Sequence, residues 1–309
     1  MSVMRSVLLA ASDNAWLRAN ATRFGFVRRA VTRFMPGEEF DDMLGAARAL
    51  RPSGIEAVFT RLGENVTDWA EAEFVTRHYL EALDRIGDAG IPCEPSVKLT
   101  QLGLDLDRER CYANVRQLAE RAHAHGNYLW IDMEQTPYVD VTLEITRRAR
   151  AEFPNIGVCL QAYLFRTADD LQSLIQIGAG VRLVKGAYKE PPTLAIPKKA
   201  DVDENYFALA RTMLADEAKR AGLRAVFGTH DTVLVGRINQ HLAARGLPKD
   251  ACEFHFLYGI QREAQQKLVA GGHVVKVLIA YGSYWYPWYM RRLAERPANV
   301  WFVVRSLFS

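Results

Sequence analysis

Residues 54–64 read GIEAVFTRLGE: a short apolar run that ends in polar residues. An amphipathic helix pattern over 67–88 follows it. The same unit recurs in kind along the chain, though not in sequence. The apolar runs are EPSVKLTQLG (94–103), NYLWIDME (127–134), NIGVCLQAYL (155–164), VRLVKGAY (181–188), RAVFGTHD (224–231), CEFHFLYGI (252–260) and HVVKVLIAYG (273–282), giving eight strand candidates with the first. The clearest helices between them span 107–125, 138–151, 203–221 and 261–271, and a last one over 284–296 follows the eighth run. Strands that alternate with helices build a parallel sheet. Eight units predict a (β/α)8 barrel, a fold of ~250 residues, and residues 52–309 supply 258. An open doubly wound sheet is the alternative, but its usual nucleotide signatures are missing: no GxGxxG follows the first run and no GxxxxGK[ST] occurs.

Composition agrees with one large domain. The 309 residues are 49% apolar and 24% charged, as in ordinary globular proteins. A net charge of +3 is too small to indicate nucleic-acid binding. Cys93, Cys111, Cys159 and Cys252 form no CxxC pair, which predicts a reduced, cytoplasmic setting without a disulfide frame or zinc site. No apolar stretch is long enough to span a bilayer, and the run Val7–Ala11 is too short for a signal peptide. Residues 1–51 form an N-terminal helical arm. Between Asn14 and Met35 it carries five arginines and no acid, with Leu17, Phe24, Val27, Val31 and Phe34 at helical spacing. The first reading of this basic helix is packing on the barrel with its arginines in water. The second is a docking face for anionic lipid or a partner.

Active sites of such barrels lie at the C-terminal ends of the strands. Here those ends carry Glu64, Lys98, Gln101, Asp132, Glu134, Gln161, Arg182, Lys185, Thr229, His230 and Asp231. Any one of them suits an ordinary loop, but six strand ends converging on one rim suit a site. In RLVKGAY, alternation sends Arg182 and Val184 to one face and Lys185 to the other, a rule that loosens near a strand end. Gly186 lets backbone approach a ligand. A salt-bridged barrel mouth explains this segment equally well. Asp132 at the end of a buried strand needs a cation, and Lys98 and Arg182 are the nearest in the chain order of strands. Such a network can hold a zwitterion. For His230 the other histidines within strand runs, His255 and His273, fall mid-strand on other strands, so no metal site is expected. No GxSxG elbow supports a serine hydrolase. Arg291 and Arg292, near the end of the last helix, are either a solvated face or a fork for a carboxylate.

Together, FTRLGE, SVKLTQLG, WIDME, LQAYL, VRLVKGAY, PKKADVDENY, GTHD, EFHFLYG and MRRLAERPAN resemble the proline dehydrogenase family in its monofunctional bacterial form, from about Glu56 to the C-terminus. The resemblance implies a distorted (β/α)8 TIM-type barrel whose last helix lies over the barrel mouth. It implies FAD-dependent oxidation of L-proline to Δ1-pyrroline-5-carboxylate, the first step of proline catabolism, with hydride passed to flavin N5 and electrons to a quinone. On matching positions it assigns Lys98, Arg291 and Arg292 to the proline carboxylate and Glu64 to holding one of those arginines. Asp132 completes the polar floor and Arg182 lies near N5. Met133, Gln161, Lys185, Gly186, Ala187, Thr229 and His230 contact FAD, while Tyr188 and Leu257 wall the proline ring. The quinone implies contact with the inner face of the cell membrane, and the product implies hand-off to pyrroline-5-carboxylate dehydrogenase. Two positions depart from the family pattern. Leu278 and Trp288 stand where relatives carry tyrosine, thirteen and three residues before Arg291. Loss of the hydroxyl at 278 would loosen selection against 4-hydroxyproline, unless Tyr281 swings in through a register difference. A methylenetetrahydrofolate reductase-like flavin barrel is the rival enzyme reading, and the arginine pair argues against it. A non-enzymatic nucleic-acid or membrane surface is the rival of another class.

Overall fold

The computed structural model describes residues 32–286. Most of the basic arm lies outside them, as do Trp288, Arg291, Arg292 and most of the expected last helix. Within them all eight expected strands form: β1 Glu56–Arg61, β2 Cys93–Val97, β3 Leu129–Ile131, β4 Ile156–Gln161, β5 Gly180–Val184, β6 Arg224–Gly228, β7 Glu253–Leu257 and β8 Val274–Tyr281. They are parallel and pair in sequence order, with β8 closing on β1, so the sheet is a closed barrel. The helices are α1 Phe40–Leu50, α2 Trp69–Asp88, α3 Arg108–Ala124, α4 Val139–Glu152, α5 Thr167–Ile175, α6 Lys199–Met213, α7 Asp216–Arg220, α8 Thr232–Ala244 and α9 Arg262–Ala270.

Two expectations need correction. The run 94–103 is a strand only to Val97; Leu99–Leu102 wind into a 3-10 turn that ends at Gly103, whose φ of 92° is left-handed. That turn buries Leu99 and Leu102 completely, which a straight strand would not. The single helix over 203–221 is two. Ala215 is extended (ψ 153°), and Asp216 and Glu217 then open α7. The acids lie at a helix N-terminus, where the dipole favours them, and the break lets Leu214 and Ala218 both enter the core.

Alternate strand residues take opposite roles. The outward set, including Ala57, Phe59, Leu129, Ile131, Leu183, Phe227 and Phe256, joins the helices in one continuous core. Helix α1, from the segment assigned to the arm, packs against β8 and β1, and Phe40, Met43 and Leu44 enter that same core. It fills the groove that a helix after β8 takes in a regular barrel. The described end of the arm also packs: Phe34 and Met35 are buried, and a Cβ on Gly259 would lie 1.7 Å from the Arg33 carbonyl oxygen.

The inward set is mostly polar. Val58, Trp130 and Val226 form a small apolar plug in the lumen, with Leu278 packed on it. At the base, Arg224 binds Glu94 on the opposite strand (2.8 Å) and Glu253 (2.6 Å), and Lys276 binds Glu94 and Glu56 (both 2.7 Å). The Trp130 indole donates to Glu94 (2.7 Å). Conserving charge balance here keeps the lumen polar atoms paired, the condition for burying them at all.

This interior makes stability depend on pH. Burial holds His255 at about 4, against an ordinary 6.5. Burial, then the charges of Arg61 and Arg85, hold His78 at about 4 as well. A folded-state value below the unfolded one means that the unfolded chain takes the proton first. The stability is therefore present above about pH 6.5 and lost as pH falls towards 4. Glu94 follows the same sign lower down: burial raises it, but Lys276 and Arg224 outweigh burial and hold it below 4.5. Urea midpoints should stay level from pH 8 to about 7 and decline from about pH 6.5 downward. His78→Asn should remove part of the first decline; a level profile down to pH 5 would contradict this account.

Candidate active site at the barrel mouth

At the C-terminal end of the lumen, β5 presents Arg182 and the residue following β3 presents Asp132. Arg182 is 4% exposed, and its Nη2 lies 2.5 Å from Asp132 Oδ1. The same nitrogen donates to Ser96 Oγ (2.6 Å), and Nε donates to Cys159 Sγ (2.9 Å). Ser96 and Cys159 in turn donate to Asp132 Oδ1 (2.8 and 3.4 Å). The guanidinium carbon sits 5.1 Å from the Trp130 ring centroid, so the plug supports it as well. Burial pushes the Asp132 carboxyl up, but Arg182 and then Lys98 outweigh it and hold the group below the usual carboxylate range. Asp132 is thus an anion and Arg182 a cation, in a site mostly shut off from water. Arg182 Nη1 is buried and has no hydrogen-bond partner among the described residues.

Lys98 begins the 3-10 turn after β2, half-buried, and its side chain makes no ion pair or hydrogen bond among the described residues. The turn is tied to β3 through Glu134, a buried carboxylate that accepts from Thr100 N (3.2 Å) and Thr100 Oγ1 (2.7 Å). Glu134 is therefore a strut rather than a rim group. Glu64 stands half-buried in the loop after β1. Leu257 and Leu278 are register partners on β7 and β8 and make an apolar wall beside the plug. Tyr188 is half-buried in the loop after β5.

Tyr281 does not stand in for the tyrosine absent at 278. It is an odd number of residues away and so faces outward, 1% exposed, with its hydroxyl 2.7 Å from His78 Nε2 and its ring beside Phe40.

Alternation also holds for Lys185, with no loosening at the strand end. It leaves Arg182 on the lumen face and pairs with Asp203 and with Asp231 (2.7 Å). Asp231 is further committed as the N-cap of α8, accepting from Val233 N and Leu234 N. The Thr229 hydroxyl accepts from Asp231 N (3.1 Å). His230 packs its ring 5.9 Å from Phe256. At Gly186 (φ 115°) an added Cβ would strike the Tyr163 ring at 2.2 Å, so the close approach there is to a side chain of the loop after β4. Ala187 beside it is exposed. Gln161 is buried; its Nε2 donates to the Glu134 carbonyl (3.3 Å), and Oε1 has no partner among the described residues. Met133 is buried in the main core.

Sequence reasoning missed Ser96 and Cys159, the two groups that pin Arg182. The signal was present: each lies two residues before a predicted site residue, Lys98 and Gln161, and so on the same strand face. Among the described residues no group of His, Cys, Asp and Glu is arranged to hold a metal ion, and no helix is long and apolar enough to cross a membrane.

A cationic fork, a paired carboxylate, an ammonium without an ion pair among the described residues and an apolar wall suit a small zwitterion with a hydrophobic ring. Comparisons with known proteins point the same way. The chain is 33% identical over 305 residues to proline dehydrogenase 2 of Bacillus subtilis (strain 168), covering 99% of both. It is 36% identical over 280 residues to the proline dehydrogenase of Deinococcus radiodurans, covering 89% of both. The crystal structure of proline utilization A from Bdellovibrio bacteriovorus, inactivated by N-propargylglycine, shares the fold with a TM-score of 0.82 at 23% identity, over 94% of this chain and 36% of that one. A family model described as proline dehydrogenase matches residues 43–305, which takes in every strand of the barrel and every mouth residue described above, and with identities above 30% over almost the whole length it makes this chain a member of the proline dehydrogenase family.

Proposed function

We propose that the protein oxidises L-proline to Δ1-pyrroline-5-carboxylate, using FAD and passing the electrons to a quinone. The observation that carries this is Arg182, a buried cation pinned to Asp132 with one nitrogen left for a ligand. The described residues fit a flavin. Arg182 Nη1 and Gln161 Oε1 are a donor and an acceptor, both buried without partners among the described residues, and a flavin ring edge carries carbonyl and N–H groups to match them. Gln161, Arg182, Ala187, Thr229 and His230 would hold it directly, while Met133 in the core, Lys185 between Asp203 and Asp231 and Gly186 against Tyr163 would shape the site from behind. Bound FAD supplies the hydride acceptor, and the chain supplies position and charge.

On this reading Lys98, Arg291 and Arg292 bind the substrate carboxylate, and Glu64 steadies one of the arginines. Leu257, Leu278, Tyr188 and Trp288 enclose the ring, turning the carbon beside nitrogen towards Arg182. Arg182 stabilises negative charge that grows during transfer, and it needs no reorganisation because Asp132 already fixes it. The amine must lose its proton before or during transfer. The product is a small diffusible imine acid, suited to hand-off to a pyrroline-5-carboxylate dehydrogenase. A quinone acceptor calls for contact with a membrane surface, and the basic arm is suited to it.

The decisive experiment is one anaerobic cuvette. The purified protein should be yellow, and its flavin absorbance should bleach on adding L-proline. A colourless protein that stays inert after FAD is added would defeat the proposal.

Leu278 gives a second test. An apolar wall rejects an added hydroxyl only weakly, so 4-hydroxyproline should compete better here than in tyrosine-bearing relatives. Leu278→Tyr should raise the kcat/KM preference for proline over 4-hydroxyproline by about tenfold. Equal preferences in the two proteins would remove position 278 from substrate selection.

A further inference from the structure

We propose that Cys159, together with Ser96, is a positioning residue: its thiol locks one edge of the Arg182 guanidinium so that the opposite edge meets the ligand at the barrel mouth. This rests on the reading that Arg182 faces the flavin. The count of donors carries the inference. A guanidinium has five N–H groups in a rigid plane. Arg182 Nε–H goes to Cys159 Sγ (2.9 Å), and the two Nη2 hydrogens go to Asp132 Oδ1 (2.5 Å) and Ser96 Oγ (2.6 Å). Only the Nη1 pair is left, buried and without a partner among the described residues.

The thiol acts twice. It accepts from Nε and donates to Asp132 Oδ1 at 3.4 Å, while Ser96 mirrors it by accepting from Nη2 and donating to the same oxygen. Without them the guanidinium would keep only the Asp132 ion pair and the Trp130 ring beneath it, and neither fixes its rotation within the plane. Burial pushes the Cys159 thiol up to about 12, so it stays protonated and keeps its donor for Asp132. Cys159 is buried, 5% exposed.

The test compares Cys159→Val, which keeps bulk and removes both hydrogen bonds, with Cys159→Ser, which keeps a donor and an acceptor. With flavin bound at wild-type stoichiometry, Cys159→Val should lower kcat for proline by about tenfold at a KM within about twofold of wild type. Its two-electron flavin potential should fall by about 30 mV, the equivalent of a tenfold change in equilibrium. Cys159→Ser should recover most of both. A merely space-filling cysteine would leave the potential unmoved in the valine variant and would gain nothing from serine. If the valine variant fails to fold, Ser96→Ala reports on the other pinned nitrogen, with the same direction expected. Wild-type kcat and potential in whichever variant folds would overturn the proposal.

A readout without flavin separates this inference from the reading beneath it. The Arg182 Nε–H signal in 1H–15N spectra, assigned by its loss in Arg182→Lys, should exchange slowly in wild type and fast in Cys159→Val. That contrast, in a protein that failed to bleach, would sink the functional reading and leave the lock standing. Equal exchange in both proteins would sink the lock.

Discussion

Arg182→Met is expected to lower kcat for proline by about 10²–10³-fold, the usual cost of removing one preorganised charge donor, and to destabilise the fold by about 3–5 kcal/mol. Both effects follow from one arrangement. Asp132 owes its low proton affinity to Arg182 first and Lys98 second, against burial that pushes the other way. With methionine at 182 the carboxylate keeps hydrogen bonds from Ser96 and Cys159 but loses the cation 2.5 Å away. A buried anion without its partner is the costly state, while an apolar pair of similar volume is not. Arg182→Met with Asp132→Asn should therefore be more stable than Arg182→Met alone. Urea unfolding of both singles and the double closes the cycle. A loss under about 1 kcal/mol for Arg182→Met, or strict additivity in the double, would mean that the pair is wet and loosely held. Activity should not return in the double, because the charge facing the reacting atoms is still missing.

The barrel was legible because its signal is redundant. Eight apolar runs, each ending in polar residues, tolerate errors at every boundary. The 3-10 turn after Val97 and the break at Ala215 shifted ends without touching the topology. What escaped was set by partners distant in sequence. Cys159 reads as one more small apolar residue in a buried strand, and its role exists only because Arg182 is its register neighbour on β5. Lys185 reads equally well as a ligand contact or as part of a salt-bridged mouth. The fold places it between Asp203 on α6 and the cap residue of α8, so it ties two helices to the barrel end. Gly186 reads as room for a ligand, and the room is taken by Tyr163. The base of the lumen went unread for a related reason. Glu94, Arg224, Glu253 and Lys276 lie on strands 2, 6, 7 and 8, and only closure of the barrel brings their charges together. Alternation marks which residues enter a lumen, but not which of them meet across it.

Arg291→Ala and Arg292→Met should each raise KM for L-proline by about tenfold to a hundredfold while flavin stays bound, the range expected from losing a charge-assisted hydrogen bond of about 1.5–3 kcal/mol. The described part of the mouth explains why the site needs them. Arg182 is committed to Asp132, and Lys185 to two aspartates. Lys98 makes no ion pair there among the described residues, but it offers a flexible point charge, which fixes neither the angle nor the plane of a carboxylate. Hydride transfer needs the ring held within a narrow range of positions, and a planar fork sets both. MRRLAERP begins nine residues after Tyr281 ends β8, close enough in the chain to reach the same end of the barrel. Lys98→Met should weaken binding less than either arginine variant, because both planar forks would remain and only a point charge would be lost. Steady-state kinetics with flavin content measured on each variant decides the matter. Wild-type KM in both arginine variants would return the pair to a solvated helix face and leave Lys98 as the carboxylate's main contact.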